Sequence, residues 1–274
     1  MDPIVSVNIM GGLGNQLFQI AAAYAYSRKE KGRLQIYRKM ENGNRPVYWD
    51  TLLSRIQSFL TTTPITEPLI LWQENVATMY KEIIPLVNPG IYLQGYLQSS
   101  KYYYNDQIKD EIKKLFRPDE SLIKNVKEKH QYLMENRDRV VVIHARRTDY
   151  ITYREVHGPL DGSYYKQAVD QMLKQISDPI FLLTSDDNQF WDEIKNDLLI
   201  MKRYPHVILS DHDEIQTFAL LQQFDYFIMS NSTFIWWCVW LSSTPKHVIA
   251  PSKWFGPAGP AHYEDIYEPS WERI

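Results

Sequence analysis

The sequence predicts an α/β protein built on parallel sheets, and three observations support this fold class. Near the amino terminus, a β-branched run is followed by a glycine turn and a segment with helical spacing. Beyond about residue 138, short apolar runs alternate with helical segments, which is typical of strands covered by helices on both faces. Polar clusters follow three of these runs, and parallel strands bring such clusters to one edge of the sheet.

The first part of the chain predicts one strand–turn–helix unit. Residues 4–9 (IVSVNI) indicate a strand, residues 11–14 (GGLG) a turn, and Asn15 the cap of a helix whose apolar residues recur at helical spacing. The stretch 43–89 contains five prolines, so we expect short elements and loops there.

A second α/β series begins after a charged segment. Residues 105–137 predict a helix pair that bridges two domains, with a boundary near residue 138. This divides the chain into residues 1–138 and 139–274. In the second domain we expect helices at 164–176 and 234–241, and strands at 140–145, 180–184, 207–209, 227–230 and 247–250.

Composition excludes several classes of protein. The 274 residues include 30 Lys and Arg against 33 Asp and Glu, a net charge of −3, which argues against a nucleic-acid binder. The single cysteine, Cys238, excludes an intramolecular disulfide framework. No secretory signal opens the sequence, and the longest strongly apolar run, residues 234–241, is far shorter than the roughly 20 residues of a spanning helix. We therefore expect a cytoplasmic protein.

The cluster after the run 140–145 predicts a phosphate site. Arginine at a strand end can contact phosphate oxygens with two parallel N–H groups, so Arg146 and Arg147 are candidates. The alternative is an ion pair of either arginine with Asp149. His144, within the apolar run, is either a core histidine or a ligand contact.

The glycine-rich turn and the acidic pair allow several interpretations. Residues 11–14 precede a helix, where amides suit a phosphate, but the pattern matches neither common nucleotide-binding motif. The alternative is a tight turn that requires glycine. Asp186 and Asp187 could bind a divalent metal, accept hydrogen bonds from a nucleobase or ribose, or cap a helix.

The third cluster, residues 230–233 (SNST), precedes an apolar helix and could bind a phosphate or cap that helix. The tryptophans at 236, 237 and 240 are assigned to the core, and residues 251–256 to a loop that closes over the site. No serine nucleophile elbow and no His-Glu-x-x-His motif is found. This inventory favours a nucleotide-sugar transferase over a hydrolase.

The same motifs, in this order, resemble those of the alpha-1,2-fucosyltransferases of glycosyltransferase family 11. The resemblance covers most of the chain, and SNSTFxWW is its most specific segment. The matching segments are GGLGNQLFQ at 11–19, QGYLQSSKY at 94–102, HARRTDY at 144–150, SDD at 185–187 and SNSTFIWW at 230–237.

The resemblance implies two Rossmann-like domains facing across a cleft (the GT-B arrangement), with the acceptor side in residues 1–138 and the donor side in 139–274. It implies GDP-fucose as donor, an inverting transfer without a metal or other cofactor, and a galactose-terminated glycan as acceptor. Arg146 would bind the diphosphate, and His144 with Asp186 or Asp187 would contact the guanine. Ser232, Thr233 and Phe234 would line the donor phosphates, and the loop with Gly12, Gly14 and Asn15 would close on the donor from the first domain.

The family pattern leaves the general base and the oligomeric state open. Asp149, Glu155 and Asp161 are candidates for the base, and a base relayed by water is the alternative. Glu155 lies about one residue from the position of a base in related core fucosyltransferases. Many family members have glycine where this chain has Thr148, which affects family placement more than function. Eukaryotic relatives carry an amino-terminal membrane anchor, which we do not expect here.

Overall fold

The computed structural model describes residues 2–39, 45–194, 203–210, 212–243 and 245–274. The chain forms two compact units, and each includes two separate segments of the sequence. The first unit contains Met1–Pro118 and His262–Glu268, and the second contains Asp119–Ala261 and Pro269–Ile274.

The first unit contains a four-stranded parallel sheet in the order β2-β1-β6-β5. A separate parallel pair joins β3 and β4. The strands are β1 (Ile4–Val7), β2 (Arg33–Leu34), β3 (Ile36–Tyr37), β4 (Leu60–Thr61), β5 (Ile70–Gln73) and β6 (Gly90–Gln94). The helices are α1 (Leu13–Glu30) and α2 (Asp106–Leu115), with 3-10 turns at Ser54–Phe59, Ser100–Tyr102 and Glu264–Ile266.

The predicted strand–turn–helix unit is confirmed, with one correction at the start of α1. Gly11 has φ +77°, and a Cβ there would lie 2.5 Å from Nδ2 of Asn15, so the turn requires glycine. The helix is capped by Gly12 and not by Asn15, which lies inside its first turn. Most of α1 is buried because its apolar residues surround the whole helix and not a single face.

The second unit contains a six-stranded parallel sheet in the order β12-β11-β10-β7-β8-β9. Its strands are β7 (Val140–Ala145), β8 (Ile180–Ser185), β9 (His206–Ile208), β10 (Tyr226–Ile228), β11 (His247–Ala250) and β12 (Glu272–Arg273). Its helices are α3 (Glu120–Lys129), α4 (Gln131–Glu135), α5 (Thr148–Thr152), α6 (Arg154–His157), α7 (Gly162–Met172), α8 (Gln189–Ile194), α9 (Glu214–Leu221) and α10 (Thr233–Leu241), with a 3-10 turn at Arg137–Arg139.

The core of the second unit lies around its two central strands. Every residue of β7 is buried, and aromatic side chains of α7 and α8 cover one face, with Tyr165 packed against Phe190 and Trp191. Trp236 and Trp237 are fully buried, which confirms their assignment to the core. These residues form a rigid base for the loops at the carboxyl edge of the sheet.

The division between the units differs from the predicted boundary near residue 138. It falls at Pro118, between α2 and α3, inside the segment predicted as a bridge. The reason is packing: α3 buries Ile123 and Val126 and contacts α9 of the second unit. A charged helix pair gives no sequence signal for which core each helix joins.

Candidate functional site

The candidate site lies at the topological switch point of the six-stranded sheet. From β7 the chain proceeds to β8 on one side, whereas β10 lies on the other side of β7. Ligands of open α/β sheets bind at such a point, outside the carboxyl ends of the strands. The clusters predicted after β7, β8 and β10 do come together here.

Arg146 is held by two carboxylates at this edge. Its Nε donates to Oδ1 of Asp149 at 2.9 Å, with a second nitrogen 2.8 Å from the same oxygen, and Nε lies 3.3 Å from Oδ2 of Asp186. Burial lowers the pKa of Arg146, but Asp186 and Asp149 outweigh it, so the pKa is raised. The side chain is 21% exposed. A guanidinium has five N–H donors, so these contacts orient the group without exhausting it.

The ion pair weighed as the alternative role of the arginines therefore exists, at Arg146. Arg147 has a structural role: its guanidinium carbon lies 4.1 Å from the ring centre of Phe190, and it donates to the carbonyl of Leu160 at 3.0 Å. The two adjacent arginines thus differ, because only Arg146 lines the cavity described below.

Asp186 organises the loop after β7. Its Oδ1 accepts the backbone N–H of Arg147 at 2.7 Å, and Oδ2 accepts the N–H of Thr148 at 3.2 Å together with the Thr148 hydroxyl. Burial raises the pKa of Asp186, but the Arg146 charge and these hydrogen bonds lower it by more, so the pKa is below its ordinary value. Both oxygens of this carboxylate therefore accept hydrogen bonds from the loop.

His144 is a buried, neutral ring that joins β7 to the loop after β10. Its Nδ1 lies 2.8 Å from Oγ of Ser230, and its ring stacks on Phe234 with centroids 5.8 Å apart. Burial lowers the pKa of His144 to about 3, an effect to which Arg146 adds and which Asp186 opposes. The ring is thus uncharged at neutral pH.

A cavity of about 240 Å³ opens at this edge, within the second unit. Its polar wall combines the ends of β7 and β8 with the segment 209–217, and Phe234 forms an aromatic wall. The lining includes a cation (Arg146), two carboxylates (Asp186 and Glu214) and hydroxyl side chains, among them Thr184 and Thr217. Such a mixture of one aromatic surface and a few polar groups is typical of a small-molecule site.

The SNST cluster has mainly structural contacts. Ser232 caps α10, its hydroxyl accepting the N–H of Phe234 at 3.3 Å, and Thr233 is the first residue of that helix. Asn231, which is 1% exposed, donates to the carbonyls of His157, Gly158 and Trp254 at 2.6, 3.3 and 2.8 Å. The helix-cap interpretation is thus correct for Ser232.

The remaining acidic candidates have different positions. Asp187 accepts the N–H of Gln189 at 3.1 Å, at the start of α8, so it acts as a helix cap. Asp161 caps α7 by accepting N–H groups of Ser163 and Tyr164. Asp149 contacts Arg146, and Glu155 is exposed at the surface.

The loop 251–256, predicted to close over the site, is anchored in the second unit. Trp254 is 2% exposed, and the N–H of Gly256 donates to the carbonyl of Val156 at 2.8 Å. A Cβ at Gly256 would lie 2.5 Å from the carbonyl oxygen of Glu155, so the two segments are in direct contact. This loop therefore packs directly against α6.

Gly12, Gly14 and Asn15 belong to the first unit, where two of the recognised motifs form one network. Oδ1 of Asn15 accepts from the Gln98 amide at 2.8 Å, and Gln19 joins the N–H of Met10 to the carbonyl of Gly95. The network fixes the glycine turn against the QGYLQ segment. The phosphate role of these three residues stays a prediction.

Sequence reasoning missed several residues of the site, including Glu214, Thr217 and Tyr150. Glu214 and Thr217 line the cavity, and Tyr150 donates its hydroxyl to the carbonyl of Asn231 at 2.9 Å. Only Tyr150 carried a signal, as the last residue of the HARRTDY motif. The other two lie on α9, whose position against α10 is set by packing of Phe218 on Phe234.

The described part of the chain holds neither a metal-binding cluster nor a membrane-spanning helix. Across these ranges, three or more His, Cys, Asp or Glu side chains nowhere gather as a metal site would require. Within the same ranges, every helix is too short or too polar to span a lipid bilayer.

Comparisons with known proteins agree with the motifs. The family model described as Glycosyl transferase family 11 matches residues 4–274. An alpha-1,2-colitosyltransferase of Escherichia coli is 24% identical, covering 92% of each chain, and a galactoside alpha-(1,2)-fucosyltransferase 1 of Mus musculus is 27% identical, covering 85% of this chain and 62% of its own length.

Among solved structures, the fucosyltransferase NodZ from Bradyrhizobium is similar with a TM-score of 0.56 and 9% identity, covering 87% of this chain and 92% of the other. POFUT1 in complex with GDP is similar with a TM-score of 0.53 and 11% identity, covering 89% of this chain and 95% of the other. This similarity confirms an α/β fold with parallel sheets.

Proposed function

The chain belongs to glycosyl transferase family 11, and from that premise we propose that it transfers L-fucose from GDP-fucose to O2 of a terminal galactose in a glycan. The enzyme is a glycosyltransferase, and the finer assignment of donor, linkage and acceptor is the proposal. Relatives named as galactoside alpha-(1,2)-fucosyltransferases support it.

The observation that carries the proposal is Arg146. A largely buried guanidinium, fixed by two carboxylates beside a cavity at the switch point, is a preorganised cation at the position where a nucleotide diphosphate would bind. Negative charge grows on the departing diphosphate in the transition state, so a fixed cation there lowers the barrier.

The proposed reaction is a single inverting displacement. The acceptor hydroxyl oxygen forms a bond to the anomeric carbon, the bond from that carbon to the diphosphate oxygen breaks, and GDP leaves with the electron pair from the opposite face. The hydroxyl proton passes to a base or to water. Asp149, which lies beside Arg146, and Glu155, which is exposed, stay our candidates for the base.

Arg146→Ala tests the proposal, with Arg139→Ala as its matched control. Arg139 precedes the amino end of β7, far along the strand from the cavity, and pairs with Asp178. Charge-assisted hydrogen bonds contribute about 1.5–3 kcal/mol each, so loss of two predicts at least about a 100-fold fall in kcat/KM with GDP-fucose and a galactoside. The control is expected to match wild type.

Calorimetry separates binding from chemistry in the same variants. We expect GDP and GDP-fucose to bind wild type, UDP not to compete, and Arg146→Ala to weaken the affinity for GDP. Full transfer by Arg146→Ala would overturn the proposal, as would unchanged affinity for both ligands. Because Arg146 supplies the positive charge, we also expect transfer to continue in excess EDTA.

A second candidate is colitosyl transfer, favoured by the colitosyltransferase that matches 92% of this chain. Parallel turnover measurements with fucosyl and colitosyl donors decide between them. A chain that binds GDP but releases none from either donor in the presence of a galactoside would instead be a non-catalytic binding module.

A further inference from the structure

The carboxylate that would contact a nucleotide base in the cavity is still unassigned. A guanine presents two neighbouring donors, N1–H and the 2-amino group, beside the O6 acceptor, and a carboxylate matches the two donors. The resemblance assigns this role to Asp186 or Asp187. In the structure, both carboxylates accept hydrogen bonds from the backbone and have other roles.

Asp186 accepts from two backbone N–H groups and one hydroxyl, and pairs with Arg146. Turning it toward a base would release the loop that orients the arginine. Asp187 caps α8 and is not part of the cavity wall. In the described part of the chain, the cavity wall contains one other carboxylate, that of Glu214.

Glu214 is the first residue of α9 and is half-buried. The preceding Asp213 fixes this turn by accepting the N–H of Gln216 at 2.7 Å. Thr217 lies three residues further, on the same face of the helix, and also lines the cavity. The helix thus presents a carboxylate and a hydroxyl, one turn apart, to the same space.

The aromatic wall completes a base-binding site. Phe234 is half-buried, lines the cavity, stacks on the ring of His144 and makes a T-shaped contact with Phe218. Because these neighbours orient the ring and it lines the cavity, Phe234 offers an aromatic contact to a purine there. At about 240 Å³ the cavity is smaller than those that enclose drug-sized ligands, so it suits a base and not a whole nucleotide sugar.

We infer that Glu214 and Thr217 select guanine in this cavity, Glu214 accepting from N1–H and the 2-amino group and Thr217 donating to O6. This inference rests on the proposed function, because it assumes a guanine nucleotide. It assigns specificity to α9, whereas Asp186 acts on Arg146.

The variant Glu214→Gln tests the inference because it should bind one diphosphate, xanthosine diphosphate, more tightly than wild type does. A carboxamide accepts one hydrogen bond and donates another, so it suits xanthine, which has a carbonyl in place of the 2-amino group. We expect the variant to bind GDP at least about 10-fold more weakly than wild type and xanthosine diphosphate more tightly than wild type does. Inosine diphosphate lacks the 2-amino group, and its disadvantage relative to GDP should shrink to less than about 3-fold.

Thr217→Val provides the second variant and Glu193→Gln, an exposed glutamate on α8, the control. Thr217→Val should weaken GDP and inosine diphosphate alike, because both carry O6, and the control should leave all three affinities unchanged. Calorimetry measures the three diphosphates, and a tighter affinity for xanthosine diphosphate cannot come from a misfolded protein.

Two negative outcomes are distinguishable. Wild type that binds none of the three diphosphates contradicts the proposed function itself. Wild type that binds GDP, with Glu214→Gln showing the same order of preference among the three, overturns only the assignment of Glu214.

Discussion

At the scale of single residues, His144 shows how burial fixes a protonation state. The ring lies at the end of a fully buried strand, contacts the Ser230 hydroxyl, and its pKa is lowered to about 3 by burial. In the unfolded chain the same imidazole has an ordinary pKa near 6.5. The folded protein therefore excludes a proton that the unfolded chain accepts.

This difference predicts a pH dependence of stability. Above about pH 6.5 the neutral ring carries no penalty, and as pH falls toward 3 the unfolded state gains protons that the folded state does not, so the free energy of unfolding decreases. In His144→Asn this contribution is absent. The stability difference between wild type and variant should shrink by up to about 1.4 kcal/mol per pH unit below 6.5.

Urea unfolding at several pH values between 7.5 and 4.5 measures this difference. The pKa values of His130 and His157 are also lowered by burial, but both residues are present in wild type and variant, so their contributions cancel. Parallel curves for the two proteins would show that His144 is protonated as easily in the folded state as in the unfolded chain.

The sequence predicts the position of Arg146 but not the separate roles of all the carboxylates around it. A strand of six apolar residues places whatever follows it at the sheet edge, which is a local property. The pairing of Arg146 with Asp149 is local, but its second partner, Asp186 after β8, and the carboxylate of Glu214 on α9 lie 40 to 70 positions further along the chain. Spacing along the chain carries no information about these two distant carboxylates.

At the scale of elements, Asn231 joins three segments that the site requires. Its amide nitrogen contacts carbonyls at the end of α6 and in the loop at Trp254, and its own carbonyl accepts from Tyr150 on α5. The segments after Arg146 form the short helices α5 and α6, which contain no buried residue. The buried amide of Asn231 therefore holds them against the start of α10.

Asn231→Asp should therefore be strongly destabilising although the two side chains have the same shape. A carboxylate cannot donate, and it would face the carbonyl oxygens of His157 and Trp254 in a buried position. We expect a loss of about 3 kcal/mol or more in the free energy of unfolding. Urea unfolding measures it.

Asn136→Asp is the control, because the Asn136 amide donates to one carbonyl, that of Tyr132, at an exposed position. We expect this substitution to lower the free energy of unfolding by less than about 1 kcal/mol. Equal costs for the two substitutions would mean that the buried contacts of Asn231 are unimportant.

Elements buried on both faces are the ones that sequence predicts best. The predicted strand 140–145 is confirmed without change, and 180–184 differs by one residue. By contrast β12 consists of Glu272 and Arg273, which have no apolar pattern, and β5 is mostly exposed, with Leu71 57% exposed. Their strand geometry comes from pairing with a neighbour.

At the scale of the whole molecule, the chain passes between the two units more than once. Residues 262–268 belong to the first unit, whereas β12, four residues further on, completes the sheet of the second. A single boundary near residue 138 could not describe this arrangement, because contacts and not sequence order define the units. The last thirteen residues therefore contribute to both units.

Asp265 is the main anchor of the returning segment in the first unit. Its carboxylate is 13% exposed, pairs with Lys101, and accepts the N–H of Tyr80 at 2.8 Å, while the Thr78 hydroxyl donates to the carbonyl of His262 nearby in sequence. Asp265→Ala removes two of these contacts. We expect faster amide hydrogen exchange at residues 78–81 and 100–103, with a local loss of about 1–3 kcal/mol.

The second unit supplies the comparison for this prediction. Exchange in β7, β8 and β10 should be unchanged in Asp265→Ala, because none of their recorded partners is Asp265. Asp178→Ala, which removes the partner of Arg139 at the amino end of β7, should leave residues 78–81 unaffected. Faster exchange across β10 and β11 in Asp265→Ala, with residues 78–81 unchanged, would show that the returning segment is anchored in the second unit instead.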